Sequence, residues 1–164
     1  MKKLIPDYYY TSIFDIDIEI LLKKNIKYLI IDLDNTLVAW DCPKPTERVE
    51  EWLQMLASKN IQVCLTSNNH KERVEIFVHD LDIKYIYEAK KPLKIGFNRA
   101  MDKLGAEKQR VACIGDQLFT DVLGGNNLGL VTVLVDPIAN KEFAWTMFVR
   151  KIESHFRKKL KKTS

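Results

Sequence analysis

The chain has 164 residues, which fits one domain, because domains most often contain ~100–150 residues. Its 46% hydrophobic and 29% charged residues are typical of a globular protein, and no apolar run approaches the ~18 residues of a membrane span or resembles a secretory signal. We therefore expect one domain over residues 1–164, located in the cytoplasm, with a net charge of +4 that is unevenly placed.

Apolar runs of strand length alternate along the chain with segments of helical periodicity. Strands are predicted at residues 28–33, 61–65, 85–87, 111–114 and 130–135, and helices at 46–59, 71–81, 93–104 and about 118–124. Thr46 is a suitable N-cap for the first of these helices, and Gly105 ends the third. Strands without polar alternation, each followed by a helix, indicate a parallel sheet covered on both faces. The predicted fold class is α/β, a three-layer doubly wound fold with a central parallel sheet.

Polar side chains cluster where the predicted strands end. Residues 32–36 end the first strand, residues 66–69 the second and residues 90–92 the third. Asp116 follows the fourth strand, with Asp121 one helical turn later. Because ligands of such sheets bind outside the carboxyl ends of the strands, we expect these positions to meet at one edge.

Carboxylates, a hydroxyl and a lysine at one edge are suited to phosphoryl chemistry. A carboxylate such as Asp32 is a workable nucleophile toward phosphorus when the phosphoryl charge is neutralised. A hard, oxygen-ligated cation such as Mg²⁺, held by Asp32 and Asp116, would supply that neutralisation. Lys91 would add a fixed positive charge, and Ser67 would donate a hydrogen bond to a phosphoryl oxygen. Asp34 is then free to protonate the leaving group and to activate water.

Each of these features alone has a more common explanation. Residues 34–36 could form a turn, residues 67–69 could cap a helix, and the lysines could be solvated surface charge. Asp116 and Asp121 could simply interact favourably with a helix dipole. Their occurrence in order, each at a strand end, favours a functional site over four independent coincidences.

The same residues resemble a known set of motifs. Residues 32–36, Ser67, Lys91 and Gly115-Asp116 with Asp121 are similar, in order, to the four motifs of the haloacid dehalogenase (HAD) superfamily. In that superfamily, dehalogenases lack the second aspartate of the first motif, transport ATPases carry threonine there, and phosphatases carry aspartate. The aspartate at position 34 therefore implies a phosphatase with a HAD-like fold.

The resemblance also implies a role for each motif residue. Asp32 would be the nucleophile and a metal ligand, and Asp34 the general acid and base whose backbone carbonyl binds the metal. Asp116 and Asp121 would complete the Mg²⁺ site, with Asp121 also supporting the catalytic Lys91. Phosphate binding would fall to three residues, Ser67, Asn68 and Lys91.

The spacing of the motifs leaves no room for a cap domain. Superfamily members carry such domains after the first or third strand, but here 34 residues separate Asp32 from Ser67 and 23 separate Ser67 from Lys91. Both stretches are filled by predicted strand and helix. An open site suits a large substrate, or it needs a neighbouring subunit as a lid.

Within the capless class, the whole chain resembles the YqeG-type family. The closest features are residues 4–7, 37–41, 89–92 and 115–122. That family is related to phosphatidylglycerophosphate phosphatases of mitochondria and plastids, so the resemblance implies a lipid phosphomonoester substrate, phosphatidylglycerophosphate in particular.

The C-terminal segment, residues 141–164, is strongly basic. Eight basic and two acidic residues give it a charge of +6, and the rest of the chain carries −2. Apolar residues recur in it at the spacing of one helical face, namely Trp145, Phe148, Val149, Ile152, Phe156 and Leu160. Such a basic amphipathic helix could lie on an anionic membrane through residues 145–164. Alternatively, it could pack its apolar face on the domain and leave its lysines in water.

We therefore predict a Mg²⁺-dependent phosphomonoester hydrolase that acts through an aspartyl-phosphate, cytoplasmic or peripheral to the inner face of the membrane. Two alternatives stay open at this point. One is a phosphatase of soluble sugar phosphates or nucleotides. The other is a module that binds RNA or ribosomes through the basic tail, with vestigial catalysis.

Overall fold

A parallel β-sheet forms the centre of the computed structural model, which describes residues 2–139 and 144–163. Across these two ranges the sheet has six strands: β1 (Tyr8–Tyr10), β2 (Tyr28–Asp32), β3 (Gln62–Thr66), β4 (Lys84–Ile86), β5 (Val111–Gly115) and β6 (Val131–Val135). Their order is β1-β6-β5-β2-β3-β4, and every neighbouring pair is parallel. The predicted parallel sheet is confirmed.

Helices cover both faces of the sheet. They are α1 (Ile18–Lys23), α2 (Glu47–Ser58), α3 (Lys71–Val78), α4 (Lys94–Leu104), α5 (Leu123–Leu128) and α6 (Ala144–Arg157). Buried side chains of α1, α2 and α3 pack with Leu29 and Ile31 of β2 on one face, and those of α4 pack with Ile30 on the other. Phe156 of α6 packs against Leu134, on the second face. The three-layer doubly wound fold is confirmed.

Strand β2 shows why the strand sequences lack polar alternation. Successive side chains of a strand point to opposite faces, and here both faces are covered. Leu29, Ile30 and Ile31 are accordingly all fully buried. Each such side chain stabilises the fold by roughly 1.5–3 kcal/mol when it leaves water. The strand stays apolar until Asp32, its last residue, at the carboxyl edge of the sheet.

Most predicted helix boundaries agree with the structure. The Thr46 hydroxyl accepts a hydrogen bond from the backbone N–H of Val49 (3.3 Å) and caps α2. Gly105, with φ 61°, ends α4 in the left-handed conformation. The helix predicted at 71–81 is wrong at its end, because the chain turns after Val78 and the N–H of Leu81 donates to the Val78 carbonyl (2.9 Å).

The helix predicted at about 118–124 is wrong in form and length. One turn of π-helix spans Leu118–Val122, and α5 then continues to Leu128. The glycine pair at 124 and 125 does not end the helix. A Cβ atom on Gly124 would lie 2.3 Å from the ring of Phe97, so this glycine lets α5 approach α4 closely.

Strand β1 is a sixth strand beyond the five predicted from the sequence. This three-residue edge strand pairs in parallel register with residues 133–135 of β6. Three consecutive tyrosines carry no alternation that distinguishes an edge strand from a loop. Its strand conformation therefore depends on the partner that the tertiary fold supplies.

The C-terminal segment packs on the domain over its described part. Phe156 and Leu160 contact a buried cluster that comprises Tyr9, Leu118, Val122 and Leu134. Helix α6 ends at Arg157, so the helical face predicted to reach Leu160 stops earlier, and Ile152 on that face is 43% exposed. Lys141 and the side chains of Trp145, Phe148 and Val149 lie outside the described residues. Thr163 lies beside β1 and makes two hydrogen bonds to Tyr9 of that strand. Its N–H donates to the Tyr9 carbonyl (2.7 Å), and its hydroxyl accepts from the Tyr9 N–H (2.9 Å).

The topology fixes where a ligand would bind. The chain passes from β2 outward to β3 and β4, and then returns to β5 and β6 on the other side of β2. The boundary between β2 and β5 is thus a switch point, where such sheets bind ligands. No cap domain is inserted within residues 2–139, as predicted from the motif spacing. A helix able to cross a membrane is absent from the described part of the chain.

Candidate active site

The chain leaves strand geometry directly after Asp32, the last residue of β2. The residues that follow form a tight turn, in which the N–H of Leu37 donates to the carbonyl of Leu33 (3.0 Å). Asn35 adopts a left-handed conformation (φ 63°), which asparagine tolerates better than most residues. As a result, Asp32 and Asp34 line the same cavity although only one residue separates them.

Lys91 forms the centre of a buried ion-pair network. Its Nζ lies 2.5 Å from Oδ1 of Asp32 and 2.7 Å from Oδ1 of Asp121, and it donates to the carbonyl of Thr66 (3.1 Å). Asn68 holds the Lys91 backbone from both sides, since its amide accepts from the Lys91 N–H (2.7 Å) and donates to the Lys91 carbonyl (3.1 Å). Asn68 therefore orients Lys91, and its contact with phosphate stays a prediction.

Three carboxylates converge beside this lysine. Each of Asp32, Asp116 and Asp121 offers an oxygen atom, and these atoms lie within 4.8 Å of one another. The Thr36 hydroxyl is within hydrogen-bond distance of both Asp32 Oδ2 (3.2 Å) and Asp116 Oδ1 (3.3 Å). A Cβ atom on Gly115 would lie 2.2 Å from Cγ of Asp121, so only glycine leaves room for that carboxylate. The structure thus assembles the predicted aspartates from two strand ends and the π-helical turn.

The cluster carries more negative charge than Lys91 neutralises. Burial raises the pKa of Asp32 well above its usual value, and the charges of Asp121 and Asp116 add to that effect while Lys91 opposes it. For Lys91, burial alone would lower the pKa, but the carboxylates of Asp121 and Asp32 outweigh it and raise that pKa above its usual value. The two carboxylates therefore favour the charged form of Lys91. A divalent cation with hard oxygen ligands, such as Mg²⁺, fits the remaining negative charge and the all-carboxylate donor set.

A cavity of about 320 Å³ opens above these groups at the carboxyl edge of the sheet. It is lined by Asp32, Asp34, Trp40, Ser67, Asn68, Asn69, His70, Lys91, Gln117 and Thr120. The Ser67 hydroxyl already accepts a hydrogen bond from the backbone N–H of Asn69 (3.0 Å), which leaves its own proton to donate to a ligand. Asp116 and Asp121 are 0% and 2% exposed and are not among the lining residues. They lie behind the cavity wall, where Thr36 connects Asp116 to Asp32 and Lys91 connects Asp121 to Asp32.

The side chain of Asp34 is held by partners that the sequence analysis does not identify. Its Oδ1 accepts from Nη2 (2.9 Å) and Nε (3.2 Å) of Arg73, and its Oδ2 lies 3.3 Å from the side-chain nitrogen of Asn69. Arg73 also donates to the carbonyl of Pro43 (3.2 Å). In the sequence, Arg73 is one more charged residue on a predicted helix, and only the packing of α3 beside the loop after β2 brings it to the site.

The chain is similar in sequence to a known hydrolase family and to known phosphatases. Residues 14–129 match the family described as haloacid dehalogenase-like hydrolase. The chain is 43% identical over 161 residues to the probable phosphatase YqeG of Bacillus subtilis (strain 168). The matched region covers 98% of this chain and 94% of that protein. It is 29% identical over 138 residues to phosphatidylglycerophosphate phosphatase 1, chloroplastic/mitochondrial, of Arabidopsis thaliana, across 77% of this chain and 39% of that protein.

The fold also resembles that of a solved structure. The cobalt-bound deoxy-D-mannose-octulosonate 8-phosphate phosphatase of Haemophilus influenzae superposes with a TM-score of 0.54 and 18% identity, over 80% of this chain and 89% of that chain. At this level of identity the likeness concerns the fold.

Proposed function

The chain belongs to the haloacid dehalogenase-like hydrolase family and is a phosphatase of that family, and we propose that it hydrolyses phosphomonoesters through an aspartyl-phosphate on Asp32 with Mg²⁺ as cofactor. One observation carries the proposal: Asp32 lies at the cavity wall and is paired with the buried cation Lys91, while two further buried carboxylates lie within 4.8 Å. A nucleophilic carboxylate and a cation for the phosphoryl group are thereby placed at one position.

The side chains divide the chemistry between them. The Asp32 carboxylate attacks phosphorus, the bond from phosphorus to the ester oxygen breaks, and Asp34 donates its proton to the departing oxygen. Asp34 then takes a proton from water, which attacks the phosphorus of the aspartyl-phosphate and releases inorganic phosphate from Asp32. Lys91 and Ser67 hold phosphoryl oxygens in both steps.

The metal would be held by the side chains of Asp32 and Asp116 and by the backbone carbonyl of Asp34, with Asp121 supporting both the ion and Lys91. When bound, Mg²⁺ neutralises the phosphoryl charge. The fit rests on the excess of buried carboxylate over cation in this cluster.

For the substrate, we propose a phospholipid phosphomonoester such as phosphatidylglycerophosphate. The relative from Arabidopsis thaliana carries that substrate in its name. One exposed apolar side chain, Trp40 (36%), lines the uncapped cavity. Two others follow strands at the same carboxyl edge: Leu93 (60% exposed) after β4, and Ile138 (53%) after β6, whose N–H donates to the carbonyl of Asn35 in the loop after β2 (3.0 Å). Exposed apolar groups beside a phosphate site suit a substrate whose phosphate adjoins acyl chains.

The basic tail supports a peripheral contact of this edge with an anionic membrane. Two tail side chains lie at the carboxyl edge of the sheet: Arg157 donates to the Asp116 carbonyl after β5, and Lys162 pairs with Asp136 after β6 (2.6 Å). Lys158, Lys159 and Lys161, which lie between Arg157 and Lys162 in the chain, are exposed. Each cation near an anionic surface contributes about 1 kcal/mol to binding. The same cations could attract RNA, which is the rival partner.

A hydrolysis panel with Mg²⁺ tests the substrate proposal. It compares phosphatidylglycerophosphate in mixed micelles with glycerol phosphate, a sugar phosphate and a nucleotide. We expect kcat/KM for the lipid to exceed that for each soluble ester. A higher kcat/KM for a soluble ester would replace the lipid proposal with the soluble one, whereas hydrolysis of no ester would contradict the phosphatase itself.

The tail is tested separately by vesicle sedimentation. Binding is expected with anionic vesicles, should weaken as salt rises, and should fall when Lys158, Lys159 and Lys161 are replaced by serine. Equal binding to neutral vesicles would contradict the electrostatic contact. Salt-sensitive binding to RNA without binding to vesicles would favour the nucleic-acid partner instead.

A further inference from the structure

Helix α6 contacts the segment that joins the two buried aspartates Asp116 and Asp121. Arg157, the last residue of α6, donates from Nη2 to the backbone carbonyl of Asp116. One turn earlier, the carboxylate of Glu153 accepts from the backbone N–H of Phe119 (2.9 Å) and is 1% exposed. Arg157 thus binds a backbone carbonyl and Glu153 a backbone N–H, both in the short segment between Asp116 and Asp121 of the candidate metal site.

Apolar contacts strengthen the same junction. The ring of Phe156 packs edge-on against that of Phe119, with 5.9 Å between centroids. Phe156 and Leu160 also contact the buried cluster that contains Leu118 and Val122, the first and last residues of the π-helical turn. Contacts from α6 and from the chain just after it therefore hold Phe119 and the cluster that contains Leu118 and Val122.

Arg157 also bridges two strand ends. Besides the Asp116 carbonyl that follows β5, its guanidinium lies 3.5 Å from the carbonyl of Val135, the last residue of β6, and 3.4 Å from Asp136. Its side chain is only 15% exposed. A guanidinium has several donors in a fixed plane and can hold both carbonyls at once, which an ammonium cannot do as well.

We propose that Arg157 and Glu153 are positioning residues for the metal site: helix α6 fixes the backbone from residue 116 to residue 119, and thereby sets the affinity of Asp116 and Asp121 for the divalent cation. The inference rests on the metal-dependent function proposed above. It also gives part of the basic tail a role inside the domain, distinct from any contact with a membrane.

The sign of the effect separates positioning from simple electrostatics. Arg157 is a positive charge near a cation site, so its removal would tighten cation binding if Coulomb repulsion were its only influence. Loss of a positioning contact acts in the opposite direction. Removal of a group that orients metal ligands typically weakens affinity by about 10- to 100-fold.

The test measures Mn²⁺ binding to the metal-free full-length protein from the EPR signal of free Mn²⁺, without substrate. The variants are Arg157→Ala, Arg157→Lys and the matched control Arg99→Ala, which removes an exposed arginine from α4. Far-UV circular dichroism and the thermal midpoint without metal confirm that each variant is folded. Arg157→Lys keeps the positive charge but loses the planar set of donors, so it provides a measurement should Arg157→Ala not fold.

We expect Arg157→Ala to bind Mn²⁺ about 10- to 100-fold more weakly than wild type, Arg157→Lys to fall between the two, and Arg99→Ala to match wild type. Unchanged or tighter Mn²⁺ binding in a folded Arg157 variant overturns the inference and leaves the phosphatase proposal intact. A wild-type protein that binds no Mn²⁺ overturns both.

Discussion

Nη2 of Arg73 lies 2.9 Å from Oδ1 of Asp34, and Nε of the same guanidinium lies 3.2 Å from the same oxygen. The pair joins α3 to the loop after β2, and both side chains are largely shielded, at 16% and 22% exposure. Arg73 therefore fixes the direction of the carboxylate that we propose as the acid and base.

Replacement of Arg73 should lower kcat more than it raises KM, because Asp34 would lose its orientation while the phosphate site stays intact. A misplaced catalytic group costs on the order of 10- to 100-fold in rate, and we expect Arg73→Ala to fall in that range. Arg73→Lys should recover part of it. Steady-state kinetics on the best substrate of the panel decide the matter, and a raised KM with unchanged kcat would assign Arg73 to substrate binding.

The two aspartates of the first motif should respond differently to the same substitution. Asp32→Asn should abolish turnover, since an amide is a poor nucleophile and a weaker metal ligand. Asp34→Asn should keep metal binding and slow the chemistry by ~10²–10⁴-fold, the contribution typical of general acid and base catalysis. Near-wild-type turnover by Asp32→Asn would falsify the proposed mechanism. Trapping of phosphate on Asp34→Asn, detected by intact-protein mass spectrometry, would support the order of the two steps.

Chelation of divalent cations should stop the reaction, and added Mg²⁺ should restore it. Without the ion, the carboxylates of the cluster repel one another and the phosphate. Beryllofluoride should inhibit, because it mimics the phosphoryl group on an aspartate. Full activity in excess chelator contradicts the claim.

Mg²⁺ should also stabilise the fold, in a way that depends on pH. At 100 times its dissociation constant, a ligand of the native state adds about 2.7 kcal/mol. The raised pKa of Asp32 means that, without metal, its ionisation destabilises the native state as pH rises through that pKa. Its protonation removes a metal ligand as pH falls through the same range, which lies above the ~3.9 of an ordinary aspartate.

The difference between the thermal midpoints with and without Mg²⁺ should therefore keep growing as pH rises above about 4, a range in which ordinary aspartates are already ionised. Lys91 does not alter this window, because its raised pKa keeps it charged throughout. A midpoint difference that is constant with pH, or largest in acid, argues against ligation by Asp32.

Gly115→Ala should damage the site and the fold together. The new methyl group would lie 2.2 Å from Cγ of Asp121, which would have to move away from Lys91. Overpacking of this kind costs about 1–3 kcal/mol, and activity should fall with it. Gly105→Ala is the control, because a Cβ atom on that glycine would lie in open space. An alanine at its φ of 61° costs roughly 1–2 kcal/mol of stability without touching the site. Equal activity in the two variants would show that the contact with Asp121 does not matter.

Polar substitution at the apolar rim that Trp40, Leu93 and Ile138 form at the carboxyl edge should distinguish lipid from soluble substrates. Ile138→Ser should lower the rate on lipid in vesicles and leave the rate on a short-chain, soluble analogue unchanged. Ile76→Ser on α3 makes the same change at nearly the same exposure, 51% against 53%, but away from the rim. Equal vesicle activity in the two variants would remove the argument from rim hydrophobicity.

The sequence by itself determined the motif residues that can be recognised from their neighbours in the chain. Asp32 ends one apolar strand, and Ser67, Lys91 and Asp116 follow three others. Parallel strands bring their carboxyl ends to one edge of the sheet. The fold class, the absence of a cap between the motifs and the positions of the motif residues follow from that rule. These features depend on the pattern of adjacent residues and on the rule that the carboxyl ends of parallel strands lie at one edge of the sheet.

Tertiary structure alone decided the contacts between residues that are distant in the chain. Arg73 is 39 positions from Asp34, and Arg157 is 41 positions from the Asp116 carbonyl that it binds. Strand β1 exists because β6 pairs with it. Such contacts depend on which helix packs beside which loop, and a charged residue on a helix reads the same in sequence whether it meets water or an active site.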